Sequence, residues 1–156
     1  MTDKTYDYMR RLVHAVNKMD GVYYLFAKRY NYNENTLMFL YALDDGKPHS
    51  QKEISEEWLI PKTTINSIVK TMLADGLIEF LPEKSSKEKG IVLTDKGRRE
   101  STAMMHNLFV AEEKAIKRTL CKYSPQFVEA LEAFSNNLKL EFENMESEQK
   151  EYSEYE

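Results

Sequence analysis

Residues 50–78 read SQKEISEEWLIPKTTINSIVKTMLADGLI, and the fold turns on how this stretch is parsed. Ser50-Gln-Lys-Glu53 opens it as an S-x-x-E capping box, in which a hydroxyl and a carboxylate reciprocally satisfy backbone N–H groups at a helix start. A short helix follows and ends near Leu59. Pro61 stands where a new helix begins, because its fixed φ suits a first turn. Ile65, Ile68, Val69, Met72 and Leu73 then mark a buried face at helical spacing, and Ala74-Asp75-Gly76 ends the helix. At about 100° per residue, Thr63, Asn66, Ser67 and Lys70 fall across from that face, joined near the helix start by Lys62 and Thr64. No acidic residue occurs between Lys62 and Thr71. Such a surface offers short hydrogen-bonding groups to base edges and phosphates, with no carboxylate to repel a polyanion. An ordinary solvated face would look the same if the helix stood alone.

It is followed by Leu77-Ile-Glu-Phe-Leu81 and Ile91-Val-Leu-Thr94, two short β-prone runs that read as a hairpin. Their connection, Pro82 to Gly90, holds Lys84, Lys87 and Lys89 against Glu83 and Glu88, a charged projection from the sheet. Helix, turn, helix and charged hairpin make a winged helix-turn-helix, whose second helix enters the major groove of DNA while the hairpin reaches the backbone or minor groove.

Outside this region the pattern is helical. Tyr6, Met9, Val13, Val16, Tyr23, Phe26 and Tyr30 recur at one helical face, with Asp20-Gly21 as the weak point, and a second helix runs from about Asn35 to Leu43 until Asp45-Gly46 stops it. Towards the C-terminus, Met105, Leu108, Phe109, Ala115, Ile116 and Leu120 mark one helix. Phe127, Leu131, Phe134, Leu138, Phe142 and Met145 mark another behind the Ser124-Pro125 start signal. These stripes carry too much apolar surface to leave in water, so they pack on the N-terminal helix, on a second copy of the chain, or on both. The expected fold is mainly α with a small β-hairpin: residues 1–34 and 100–147 as dimerisation helices, 35–99 as the winged domain, and 148–156 as an acidic flexible tail.

Length and charge agree. The chain has 156 residues with 42% hydrophobic content, enough for one ordinary domain or two small units sharing a core. The net charge of -4 excludes a uniformly basic coat. Divided along the chain, residues 1–46 carry 6 basic and 6 acidic side chains, residues 47–99 carry 10 and 8, and residues 100–156 carry 6 and 12. The only basic third is thus the winged segment. A polar N-terminus and the lack of any 18-residue apolar run point to a cytoplasmic protein. One cysteine, Cys121, leaves packing rather than disulfides or zinc to hold the fold, and no cofactor or metal is expected.

Ser50-Gln-Lys-Glu-Ile54, Ile60-Pro-Lys-Thr-Thr-Ile-Asn-Ser-Ile-Val-Lys70, Gly76-Leu-Ile78 and Leu93-Thr-Asp-Lys-Gly97 together resemble the multiple-antibiotic-resistance regulator (MarR) family of bacterial transcription factors. The order of elements, a long helix before the winged domain and two after it, is similar as well. The resemblance implies a homodimer whose terminal helices interlock and whose two winged domains read a pseudo-palindromic operator, usually as a repressor. It implies DNA contacts at Gln51, at Lys62, Thr63, Thr64, Asn66, Ser67 and Lys70, and at Lys84, Lys87 and Lys89. The chain departs from the family where the wing commonly carries Asp-x-Arg: here stand Ser85-Ser86-Lys87. Pro61 replaces a small polar cap, and Ser55 a usual alanine.

The resemblance further implies a small, often aromatic, anionic effector in a cleft beside the winged domain, which Tyr23, Tyr24, Tyr30, Tyr32 and Phe39 are candidates to line; helical spacing alone also explains these aromatics as core. Cys121 reads as a structural thiol, although Arg118 and Lys122 beside it would favour a thiolate. His14, His49 and His106 are scattered, and no nucleophile motif, phosphate loop or metal set occurs, so the chain does not read as an enzyme. The alternative from another class is a winged-helix protein-interaction module without DNA binding, suggested by the modest charge of the middle third.

Overall fold

The computed structural model describes residues 3–82 and 89–153. In chain order it contains α1 (Asp3–Arg29), α2 (Glu34–Ala42), α3 (Gln51–Glu57), α4 (Lys62–Ala74), β1 (Ile78–Pro82), β2 (Lys89–Leu93), α5 (Asp95–Leu120) and α6 (Gln126–Ser153). The chain divides into two compact units, Met1–Asn107 and Leu108–Glu156.

In the first unit, Leu37, Phe39, Leu40 and Leu43 from α2 and its end, Ile54, Ile65, Ile91 and Met104 are buried almost completely and make one core. The apolar face anticipated for α4 is the buried one at Ile65, Ile68, Val69 and Met72. The capping box forms as expected: the Ser50 hydroxyl accepts from the Glu53 N–H at 3.1 Å, and the Glu53 carboxylate accepts from the Ser50 N–H at 2.7 Å. That second bond holds the Glu53 carboxyl below its usual range. Ser55 has a structural role. Its buried hydroxyl donates to the Ile60 carbonyl at 2.7 Å and ties the end of α3 to the chain entering α4. Between them Leu59 has a φ of 50°, a left-handed conformation that disfavours a branched side chain.

β1 and β2 pair antiparallel, Ile78 opposite Leu93 and Pro82 opposite Lys89. His49 adds a bridge to Ile91 in front of α3, so the wing is anchored to the helix-turn-helix by backbone as well as by side chains. As the periodicity indicated, the first helix continues through Asp20-Gly21, because one Gly costs only about 1 kcal/mol in a helix interior and α1 is 27 residues long. Two sequence expectations shift. α5 starts at Asp95, ahead of the apolar stripe that begins at Met105, because the Thr94 hydroxyl accepts from the Gly97 N–H at 3.0 Å and caps it. α6 runs to Ser153, past Met145 and through most of the segment read as a tail, since its late Glu-rich residues are good helix formers.

In the second unit, the end of α5 and α6 are joined by a turn holding Cys121, which is exposed. Along α6 only Leu131 and Phe134 are even half-buried among residues 126–147, and Leu138, Phe142 and Met145 stand open. Along α1, Tyr6, Val13 and Val22 stand exposed, while Met9, Leu12 and Val16 are half-buried.

Gly97 is the tightest steric point. A Cβ there would lie 1.9 Å from the Leu77 carbonyl oxygen. Gly97→Ala is expected to destabilise the first unit by about 3 kcal/mol or more, through displaced backbone rather than a lost contact, measured by urea unfolding followed by circular dichroism. Leu59→Gly should do the reverse and stabilise by about 1 kcal/mol in the same assay, because it relieves a left-handed branched residue. An unchanged midpoint in either variant would contradict the corresponding backbone argument.

Candidate nucleic-acid interface

The sequence of α4 sorts its side chains by face. Lys62, Thr63, Asn66, Ser67 and Lys70 are exposed and Thr64 is half-exposed, while Ile65, Ile68 and Val69 are buried against the core. The polar row therefore points outward along its whole length. No side chain caps the helix at Pro61, in keeping with the loss of the small polar residue noted there. Among the described residues, no ion pair engages Lys62 or Lys70, so both ammonium groups are available to an external anion.

At the start of α4 lies a cleft of about 350 Å³. Ser50, Gln51 and Lys52 line it from the start of α3, Lys62, Ile65 and Asn66 from α4, and Lys89 from β2. The structure thus brings Gln51 of α3, Lys62 and Asn66 of α4 and Lys89 of β2 together around one cleft. Thr63, Ser67 and Lys70 lie on the same helix but outside this cleft. Lys84 and Lys87, and the Ser85-Ser86-Lys87 departure, fall outside the described residues. Lys89 is not on the connection, where its sequence neighbours placed it. It is the first residue of β2, and its ammonium sits 5.4 Å from the centre of the Phe80 ring. Lys52 is a cleft residue that sequence reading missed. Its position next to Gln51 in the capping box was the available signal.

A second cleft, of about 510 Å³, lies on the other side of α4. It runs between the α1–α2 turn (Asn31, Tyr32, Asn33), Ser67 and Thr71 of α4, and Lys96 and Glu100 of α5. Of the five aromatics proposed for a ligand cleft, only Tyr32 lines it. Phe39 is wholly buried, Tyr30 packs on Phe26 with ring centres 5.2 Å apart and accepts from the Asn107 amide, and Tyr24 stands exposed beneath Lys28. Burial, then Glu100 and Asp75, raise the Tyr32 phenol above its ordinary pKa. Lys96 spans the same place, donating to the Asp75 carbonyl at 2.6 Å and pairing with Glu100 at 3.8 Å. Among the described residues, no group of histidine, cysteine and carboxylate side chains could hold a metal ion, and no helix is long and apolar enough to cross a membrane.

Residues 31–87 match the sequence model of the MarR family. No curated protein matches the chain by sequence. Among solved structures, the chain is similar to a MarR family regulator from Neisseria meningitidis, with 22% identity, a TM-score of 0.71, and coverage of 90% of this chain and 97% of that one. A putative MarR family transcriptional regulator from Listeria monocytogenes, solved in complex with a 26mer DNA, shares 17% identity at a TM-score of 0.62, covering 85% and 87%. The Staphylococcus aureus MarR in complex with salicylate and kanamycin shares 17% at 0.61, covering 89% and 93%. Residues 31–87 are thus similar in sequence to the MarR family, and the chain shares the fold of these regulators.

Proposed function

We propose that the chain is a sequence-specific double-stranded DNA-binding transcription regulator, acting in the cytoplasm as a homodimer on a pseudo-palindromic operator and as a repressor. MarR family proteins are transcription factors rather than enzymes, and this chain is not an enzyme. The observation that carries the DNA reading is the outer face of α4: six polar positions from Lys62 to Lys70, free of carboxylates, beside a cleft lined by further lysines. Asn66 and Ser67 are of a size to meet base edges, and Lys62 and Lys70 to meet phosphates. The Listeria relative supports this reading, because it was solved on DNA with the same fold.

The bare apolar stripes of α1 and α6 support the dimer. Monomeric proteins rarely leave so many large apolar side chains of long helices in water, and a second copy of the chain offers surface to cover them. Two copies of α4 then address successive major grooves about one helical turn apart. An effector in the Tyr32 cleft would meet Asp75 and Glu100, only partly balanced by Lys96. A neutral or cationic aromatic suits that setting better than the anion suggested by the family resemblance.

The deciding measurement is a titration with duplex DNA across salt concentrations, followed by the fluorescence of Trp58, the single tryptophan. The expected outcome is a steep negative slope of log affinity on log salt; a flat one would point instead to a protein-interaction module. Lys70→Ala should weaken binding to all duplexes alike, while Asn66→Ala should relax base preference, at about 1–3 kcal/mol of lost discrimination. Equal effects of both variants on specific and random DNA would remove α4 as the reader. For the dimer, light scattering should give twice the 18.4 kDa chain mass, and Leu138→Glu combined with Phe142→Glu should return it to that of a single chain. A wild-type mass of 18.4 kDa would refute the homodimer.

A further inference from the structure

We infer that the cleft between α3, α4 and the base of the wing is a seat for one phosphate group, gripped at the same time by Lys52, Lys62 and Lys89; this rests on the DNA-binding reading and assigns the phosphate to the DNA backbone. Three lysines from three separate elements line a cleft of about 350 Å³, and among the described residues no carboxylate lines it. Glu53, in the same first turn of α3, turns its carboxylate to the Ser50 N–H at 2.7 Å. Among the described residues none of the three ammonium groups is held in an ion pair. An anion that carries several acceptor oxygens can be shared among like charges that line one cleft.

The seat is built rather than incidental. The Lys89 chain starts on β2 opposite Pro82, and its ammonium lies over the Phe80 ring at 5.4 Å, which limits the directions it takes. The capping box fixes the first turn of α3, which carries Lys52 and Gln51, and the buried Ile65 forms the floor. Asn66 opens onto the same space, so a backbone phosphate held there sets the register of the base edge that Asn66 reads. The wing thereby contributes to major-groove binding through its base. Phe80 is a positioning residue and Lys89 a contact.

A shared phosphate makes a numerical prediction that separate contacts do not. Each phosphate neutralised contributes about 0.9 to the salt slope. On a mixed-sequence duplex bound by the dimer, with one seat per protomer, the triple variant K52A/K62A/K89A should lose about 1.8 of slope, whereas three independent phosphates per protomer would cost about 5.4. A loss near the larger value, or none, overturns the seat. Lys139→Ala, on the exposed face of α6, is the control and should leave the slope unchanged. Phe80→Leu should weaken binding in the direction of Lys89→Ala and Phe80→Trp should restore it; equal weakening by both would assign Phe80 to packing and overturn its positioning role. In a second arm, inorganic phosphate is added at constant ionic strength and followed by phosphorus NMR. Line broadening that the triple variant abolishes would show that the seat also takes free phosphate. No broadening together with the slope loss of about 1.8 confines it to DNA. If the wild-type chain fails to bind duplex at all, the DNA reading falls, and the phosphate arm alone then decides the seat: broadening lost in the triple variant keeps it, and its absence removes it.

Discussion

The Leu77 carbonyl oxygen lies so close to Gly97 that no side chain fits between them, and the arrangement of the winged domain follows from that approach. The same carbonyl accepts from the Thr94 N–H at 3.0 Å. The Thr94 hydroxyl donates to the Gly76 carbonyl at 2.8 Å while accepting from the Gly97 N–H. Four residues thereby tie the end of α4, the entry to β1, the exit from β2 and the first turn of α5. Gly76, at a φ of 67°, lets the chain reverse after α4 so that Leu77 arrives at this point. Lys96 adds its bond to the Asp75 carbonyl at the same junction. Because α4, the wing and α5 meet at one hydrogen-bonded knot, the angle of the polar helix face is set by backbone contacts, which yield less than side-chain packing does.

This rigidity matters for how charge acts. With a net charge of -4, the chain gains no general attraction to a polyanion. Its positive groups are concentrated instead: Lys62 and Lys70 along α4, Lys52 and Lys89 at its start. A lysine held on a fixed frame loses less freedom on meeting a phosphate than one on a mobile arm. The acidic excess sits in residues 100–156, largely along α6 and outside the winged domain in sequence. Weak long-range attraction combined with concentrated local attraction lowers binding to arbitrary DNA more than to a fitted site, which is how a few short side chains can carry discrimination.

Much of this was legible in the residues. The capping box, the α4 stripe and the glycine at Gly76 are local signals, each resolved within a few positions, and they place the polar face of α4 without tertiary information. What escaped was long-range. Lys89 reads as a loop residue because strand pairing with Pro82 and the Phe80 ring beneath its ammonium are separated from it in sequence. Lys52 looks like one more solvated lysine until α3 and α4 fold against each other. Ser55 passes for a substituted alanine because its acceptor, the Ile60 carbonyl, lies on the far side of a turn. The start of α5 ran ahead of its apolar stripe for the same reason: a cap depends on one threonine and no periodicity announces it.

The two long terminal helices pose a different constraint. α1 and α6 together span 55 residues and keep most of their apolar side chains in contact with solvent. Isolated helices of such length gain little from propensity alone, so their stability has to come from surface that another element covers. In the proposed dimer that element is the partner's own α1 and α6, and the folded state of these helices becomes inseparable from chain concentration. The winged domain differs, since its core of Leu37, Phe39, Ile54, Ile65, Ile91 and Met104 is closed within one chain. In the proposed dimer, the spacing between two winged domains is then set by the assembly rather than by either domain.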